Sequence, residues 1–343
     1  MLLYKNRREV EAMAELEKSI KVNPEFAMAY NALAYLLVNN DGDRDRAMTL
    51  AKKAIELAPD NKQYRDTYAL AKPSDVDVPP QTKMKRPDAI AVVIGNKNYK
   101  NTVLPPVKYA IQDAFTMKKY LHETMGFSEE NIILVRDATN IDFVKYFGNS
   151  QDHRGVLYNQ VRKDKSEVFI FYSGHGAPDT NTKKAYLVPS DADPAIIKLT
   201  AYPLETLYDN LAKLNKEKNP KSVTVVLDAC FSGGSHDGML IQNASPIYIE
   251  TTIPLLTARN AAVLSSSRGN QINSWYPEKN HGLFTYYLLK NIKKAAEEKK
   301  SLSIKDLEAS LFKPEGVNDL AWRLFNRDQE PQIMGNKGIV LVQ

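Results

Sequence analysis

Two apolar runs, each closing on small residues around one reactive side chain, constrain this chain more than anything else in it. One is Glu167-Val-Phe-Ile-Phe-Tyr-Ser-Gly-His-Gly176; the other is Val223-Thr-Val-Val-Leu-Asp-Ala-Cys-Phe-Ser-Gly-Gly234. Apolar runs of this length without alternation suit strands buried on both faces, which belong in parallel sheets. Cys230 is the only cysteine among 343 residues, which excludes an internal disulfide and a cysteine-based zinc site. The histidines His122, His153, His175, His236 and His281 lack metal-ligand spacing, so no metal ligand is assigned.

The rest of residues 88–343 alternates in the same way. Ala89–Gly95 reads as a strand, 107–124 as an amphipathic helix, Asn131–Arg136 as a strand and 140–163 as a polar helix. After the His175 strand come an extended piece at Ala185–Pro189 and a helix over 203–216. After the Cys230 strand come a strand at Ala261–Ser266, helices over 282–297 and 303–325, and a last strand over 338–342. This order implies an α/β fold, a mostly parallel sheet flanked by helices. Ligands of such sheets bind at the carboxyl ends of the strands, where His175 and Cys230 both fall.

Residues 1–72 read as an all-α segment with an internal repeat. Lys18-Ser-Ile-Lys-Val-Asn-Pro24 and Lys53-Ala-Ile-Glu-Leu-Ala-Pro59 superimpose at a shift of 35, each after an alanine-rich amphipathic stretch. The segment resembles the tetratricopeptide repeat, with 25–58 as one unit and half a unit on each side, and is expected to dock a protein partner. A plain helical hairpin is the alternative. Residues 73–87 carry four prolines and no periodicity, and read as an extended linker.

A net charge of +5 without a polybasic block argues against nucleic acid or an anionic membrane as partner. No apolar run approaches the roughly 18–20 residues that span a bilayer, and Met1-Leu-Leu-Tyr-Lys-Asn-Arg-Arg is no secretory signal. The expected address is cytoplasmic. The chain starts inside a helical pattern, so an upstream portion is a further expectation.

A thiol attacks as thiolate, which a nearby imidazole promotes. Backbone N–H groups of Gly176 and Cys230, in turns of small residues, suit an oxyanion on an attacked carbonyl. Tyr172-Ser-Gly-His-Gly176 and Asp228-Ala-Cys-Phe-Ser-Gly233 resemble the histidine and cysteine boxes of caspase-like cysteine peptidases, closest to the metacaspase and bacterial caspase-homologue branch. Ile90–Tyr99, Tyr186–Asp191, Ser265–Arg268 and His281–Leu289 resemble other stretches of that family, so the likeness covers about 88–343. It implies a caspase-like fold and a cysteine endopeptidase with His175 as general acid/base and Cys230 as nucleophile.

Metacaspases take Arg or Lys before the cut bond, through acidic residues. Asp113, Ser173 and Asp228 match that pocket, so cleavage after basic residues is expected. Arg is favoured over Lys, because two carboxylates suit a planar fork. Asp113 contacting a backbone amide near a helix start, and Asp228 orienting its turn, are the structural alternatives. Trp275 and Tyr276 are candidates for the wall of the next pocket, or ordinary packing. Some metacaspases require calcium; Asp191, Asp193 and Asp237 are available but not densely spaced, so calcium stays an open alternative and no other cofactor is implied. No Lys or Arg occurs from Phe231 to Ala258, so a basic-specific enzyme cannot cut itself there; Lys83, Lys85 and Arg86 in the linker are the alternative sites. A catalytically silent interaction scaffold and another thiol hydrolase or transferase are the competing readings.

Overall fold

The computed structural model describes residues 2–39, 44–179, 184–232, 234–235, 238–239 and 253–343. It divides into two compact units, Met1–Asp77 and Val78–Gln343.

The first unit is four helices: α1 (Leu2–Val22), α2 (Ala27–Asn39), α3 (Arg44–Leu57) and α4 (Lys62–Ala71). The repeated sequence places its alanines where helices cross: Ala34, Ala47 and Ala51 are fully buried against Leu33 and Leu37. Asn61 caps α4 by accepting from the Gln63 N–H (3.0 Å). Pro24 and Pro59 fall in the turns before α2 and α4, where a missing N–H costs nothing. Irregular backbone follows; Asp77 ends the unit, accepting from the Ser74 N–H (2.6 Å) and from Arg44 (3.3 Å).

The second unit is built on a six-stranded sheet. In chain order its strands are β1 (Ile90–Gly95), β2 (Ile132–Arg136), β3 (Glu167–Ser173), β4 (Ser222–Asp228), β5 (Ala261–Ser265) and β6 (Gln332–Gly335). The spatial order is β6-β5-β4-β3-β1-β2, parallel throughout except for the edge pair β5–β6. The expected architecture, a mostly parallel sheet flanked by helices, is the one observed. On one face Val92, Ile94, Ile170, Tyr172, Val225 and Leu227 pack with α6 (Asn140–Phe147), α7 (Val156–Gln160) and α8 (Leu204–Lys218). Side chains alternate along a strand, so Val93, Phe171, Ser173, Val226 and Asp228 look the other way. That face receives α5 (Ala110–Lys119), which runs into a π-helical turn at Tyr120–Thr124, and α5 in turn contacts α9 (Leu283–Glu297).

Three expected elements differ. The helix expected over 140–163 is two short ones. Asn149 Oδ1 accepts from the N–H groups of Gln151 and Asp152 (both 2.8 Å), closing a turn that competes with the helix. The helix expected over 303–325 divides into α10 (Ile304–Leu311) and α11 (Val317–Phe325), because Pro314 cannot continue the ladder. The last strand, Val340–Val342, pairs with Leu302–Ser303 instead of the main sheet, whose edge is β6. Asn336 Oδ1 accepts from the Gly338 N–H (2.8 Å) in the turn that separates the two segments.

Residues 78–87 hold to this second unit. Thr82 donates to the Thr124 carbonyl (2.7 Å) and Thr124 to that of Pro80 (2.6 Å). Arg86 meets Glu167 (3.0 Å) and the carbonyls of Val340 and Leu341 (3.0 and 3.2 Å), while Lys83 and Lys85 are exposed. Of the three linker residues suggested as cut sites, Arg86 is therefore engaged in the fold.

At the carboxyl end of β1, the fully buried Asn96 stitches three loops together. Its amide donates to the carbonyls of Ala138 and Val188 (both 3.1 Å), and its oxygen accepts from the Ala138 N–H (2.7 Å). Asn96→Ala strands the Ala138 amide away from water. Urea denaturation should show a loss of about 2–3 kcal/mol, with the slope of the transition unchanged.

Candidate active site

β3 and β4 are neighbours in register, with Ser173 opposite Asp228. Gly174-His175-Gly176 and Ala229-Cys230-Phe231 therefore leave the sheet side by side, and the Gly174 N–H donates to the Asp228 carbonyl (3.2 Å). The two turns touch. A methyl group built on Gly176 would lie 2.7 Å from the Cys230 oxygen and 2.5 Å from the Phe231 ring, so only glycine permits the approach. A cleft of about 420 Å³ opens above them, lined by His175, Cys230, Asp113, Ser173 and Asp228 among others. All five side chains expected at the site thus share one cavity. Of the two expected oxyanion donors, Cys230 lines that cleft, whereas Gly176 is not among its lining residues and starts the short strand Gly176–Pro178, paired to Ala185–Leu187.

His175 is fixed at both backbone ends. Its N–H donates to the Tyr99 hydroxyl (2.9 Å), and its carbonyl accepts from the Tyr172 hydroxyl (2.7 Å). The Tyr99 ring lies 4.8 Å from the imidazole. Nε2 sits 2.7 Å from the Pro105 carbonyl, which can only accept, so Nε2 carries the proton and the lone pair of the neutral ring is on Nδ1. Burial pushes the imidazole down to about 4, against a smaller opposing effect of the Pro105 hydrogen bond. At neutral pH the ring is an unprotonated base.

Cys230 is buried, with Sγ 2.9 Å from the Ser232 hydroxyl, and its thiol donates to the Gln271 carbonyl (3.2 Å). Gln271 belongs to the loop after β5. Its own side chain accepts from the N–H groups of Arg268 (3.2 Å) and Glu330 (2.8 Å), which anchors that loop beside the nucleophile.

The carboxylates come from different elements, a helix and a strand end. Asp113, on α5, accepts from His281 Nδ1 (2.7 Å), from the Gly282 N–H (3.2 Å to each oxygen) and from the Ser173 hydroxyl (3.3 Å). Asp228 accepts from the Asn273 amide (3.0 Å) and from the N–H (3.3 Å) and hydroxyl (2.6 Å) of Thr285 in the first turn of α9, where the helix dipole favours an anion. Gly282 lies between the two acids: a methyl group there would be 2.6 Å from Asp228 Oδ2 and 3.1 Å from Asp113 Oδ2. Burial raises both carboxyls, and the neighbouring Asp113 charge adds to burial in pushing Asp228 up to about 7. Asp113 does meet a backbone amide, that of Gly282 and not one at its own helix start, whereas the Asp228 carboxylate meets Asn273 and Thr285 and not its own turn.

Trp275 lines the cleft, with its ring edge-on to Tyr109 (5.8 Å), whereas Tyr276 packs edge-on against Tyr286 (5.1 Å). Asp191 accepts from the Asn140 N–H (2.9 Å) and Asp193 from the Ala195 N–H (3.0 Å), so both satisfy backbone amides; Asp237 lies outside the described residues. No group of three potential ligands forms a metal site among the described residues. Pro105, Gln271, Asn273 and Thr285 are site residues that no sequence motif marks, and His281-Gly282 stands out in the sequence only as part of a family-like stretch. The glycine after a histidine, just before an apolar helix, was the available signal.

A profile of the Caspase domain family matches residues 88–335. The chain belongs to the caspase-domain family. Members of this family are cysteine peptidases, and a peptidase domain implies a protein or peptide substrate. Among solved structures, caspase-1 from Spodoptera frugiperda aligns at 14% identity over 77% of this chain and 92% of that one, with a TM-score of 0.45. No curated protein matches the chain. Among the described residues, no helix of this caspase-domain protein is long and apolar enough to cross a membrane.

The two perturbed groups pull acid stability in opposite directions. Asp228 is raised to about 7, so between its ordinary value near 4 and 7 the folded protein binds more protons, and stability falls as pH rises. His175, lowered to about 4, makes stability rise with pH up to its ordinary value near 6.5. Asp228→Asn isolates the first effect. Its unfolding free energy relative to wild type should climb from about pH 4 to 7 and then level off; a flat difference across that window contradicts the assignment.

Proposed function

We propose that this caspase-domain protein is a cysteine endopeptidase that cuts protein substrates after basic residues, Arg before Lys, in the manner of the metacaspase branch. The observation that carries the reading is the pair of buried carboxylates, Asp113 and Asp228, converging on Gly282 in the same cleft as Cys230 and His175. A guanidinium there meets two oxygens in a shielded place, where charge-assisted hydrogen bonds are strong. A substrate aspartate would meet two acids and repulsion.

The chemistry follows from the groups in place. Nδ1 of neutral His175 takes the Cys230 proton once the thiol turns from the Gln271 carbonyl. The thiolate adds to the carbonyl carbon of the scissile bond. The oxyanion draws on the N–H groups of Gly176 and Cys230, and the imidazolium returns its proton to the leaving amine. Water, deprotonated by His175, then hydrolyses the thioester and frees Cys230. Pro105 holds the ring in the tautomer this sequence needs. No cofactor enters any of these steps.

The four-helix unit, read as a tetratricopeptide-like docking element, would bring substrate or regulator to the peptidase in the cytoplasm. The loop after the cysteine strand offers no basic residue for self-processing, so activation by a cut there is not part of this reading.

Fluorogenic peptides ending in Arg, Lys, Asp or Ala, with and without calcium, test the proposal. Wild type should cut Arg and Lys reporters, and Cys230→Ala or His175→Ala should abolish turnover. Asp113→Ala should cost kcat/KM for Arg reporters by about 100-fold or more, while circular dichroism stays native. Preference for the Asp reporter, or undiminished Arg cleavage by Asp113→Ala, would refute the pocket.

A further inference from the structure

His281 is fully buried, does not line the cleft, and takes no part in bond making. Its surroundings nonetheless hold it against Asp113. The hairpin Trp275–Tyr276 and His281–Gly282 pairs Tyr276 with His281 and Trp275 with Gly282, and Asn280 turns the chain in the left-handed region (φ 57°). That turn presses His281 and Gly282 together onto Asp113. Nδ1 lies 2.7 Å from Asp113 Oδ1, where an Nδ1–H donates to the carboxylate form of Asp113.

The two oxygens of Asp113 thereby acquire different roles. Oδ1 faces His281, and Oδ2 faces Asp228 Oδ2 across the bare Cα of Gly282. A buried carboxyl beside a second one tends to take a proton and bond to its neighbour, forming an acid–carboxylate pair with one negative charge in place of two, which holds a cation less strongly. His281 opposes this most among the partners of Asp113, by hydrogen bond and by charge, with Gly282 and Ser173 adding less. We infer that His281 is the positioning residue of basic-residue selection: its Nδ1–H keeps Asp113 ionised with Oδ2 turned toward the cleft, so that two carboxylate oxygens meet the substrate's cation. This rests on the proposed basic specificity and names the buried group behind it.

Three variants test it, each assayed with Arg and Ala reporters and for alkylation of Cys230 by iodoacetamide. His281→Asn places an amide N–H where Nδ1 was, two bonds beyond Cβ. His281→Gln places it one bond further out, and His281→Leu removes it. Leu and Gln should raise KM for the Arg reporter at least about tenfold with kcat little changed, because they remove binding alone. Asn should stay within about threefold of wild type, and alkylation rates should match in all three. If the leucine variant fails to fold, the contrast between Asn and Gln decides by itself. Wild-type KM in Leu or Gln, or equal impairment in Asn and Gln, overturns the role of His281. A wild-type enzyme that is alkylated normally yet ignores Arg reporters overturns the basic specificity beneath it instead.

Discussion

The parallel pairing of β3 with β4, Ser173 against Asp228, is the constraint on which the site depends. A one-residue slip would turn every inward side chain outward, putting Ser173 and Asp228 into the aliphatic layer in place of Tyr172 and Leu227. In the observed register the polar pair faces α5 and α9, and the imidazole and the thiol follow two residues beyond the end of each strand. Glycine at 176 completes the arrangement by letting the two turns meet. Sheet register, which exists to bury apolar surface, thereby also positions the chemistry.

Burial then does opposite things to the charged groups it encloses. It strips the imidazole of its proton, which a base requires. It also makes two neighbouring carboxylates costly, and the fold offsets this with directed donors: Thr285 at the start of α9, Asn273 from the loop after β5, and His281 with Gly282 from a hairpin. Those donors all lie in the C-terminal half of the domain, whereas Asp113 lies in the N-terminal half. The acidic pocket is therefore a product of the closed fold, absent from any contiguous piece of it. The Gln271 carbonyl beside Cys230 belongs to the same set of contacts, so the loop that supports the acid also engages the nucleophile.

Much of this was legible in the chain. The apolar runs at Glu167–Tyr172 and Val223–Leu227 announce doubly buried strands, and small residues around His175 and Cys230 announce backbone that approaches something closely. Asp113, Ser173 and Asp228 came from likeness to a family, since nothing local marks an acid on α5 as a pocket residue. Helix ends were less legible. Asn149 and Pro314 interrupt patterns whose apolar periodicity alone continues through them, and β6 is too short to stand out. Long-range partners were not legible at all: Pro105 and His281 meet their targets 70 and 168 residues away in sequence, and only the closed sheet brings them there.

Reaction with activity-based probes offers the most direct trial of the claim that thiol, base and acid pair act as one site. The full chain is treated with peptidyl-arginine and peptidyl-aspartate acyloxymethyl ketones of equal length, and adducts are located by mass spectrometry. The account predicts one adduct, on Cys230, formed by the arginine compound and lost in His175→Ala. Faster labelling by the aspartate compound, or none by either, would contradict it.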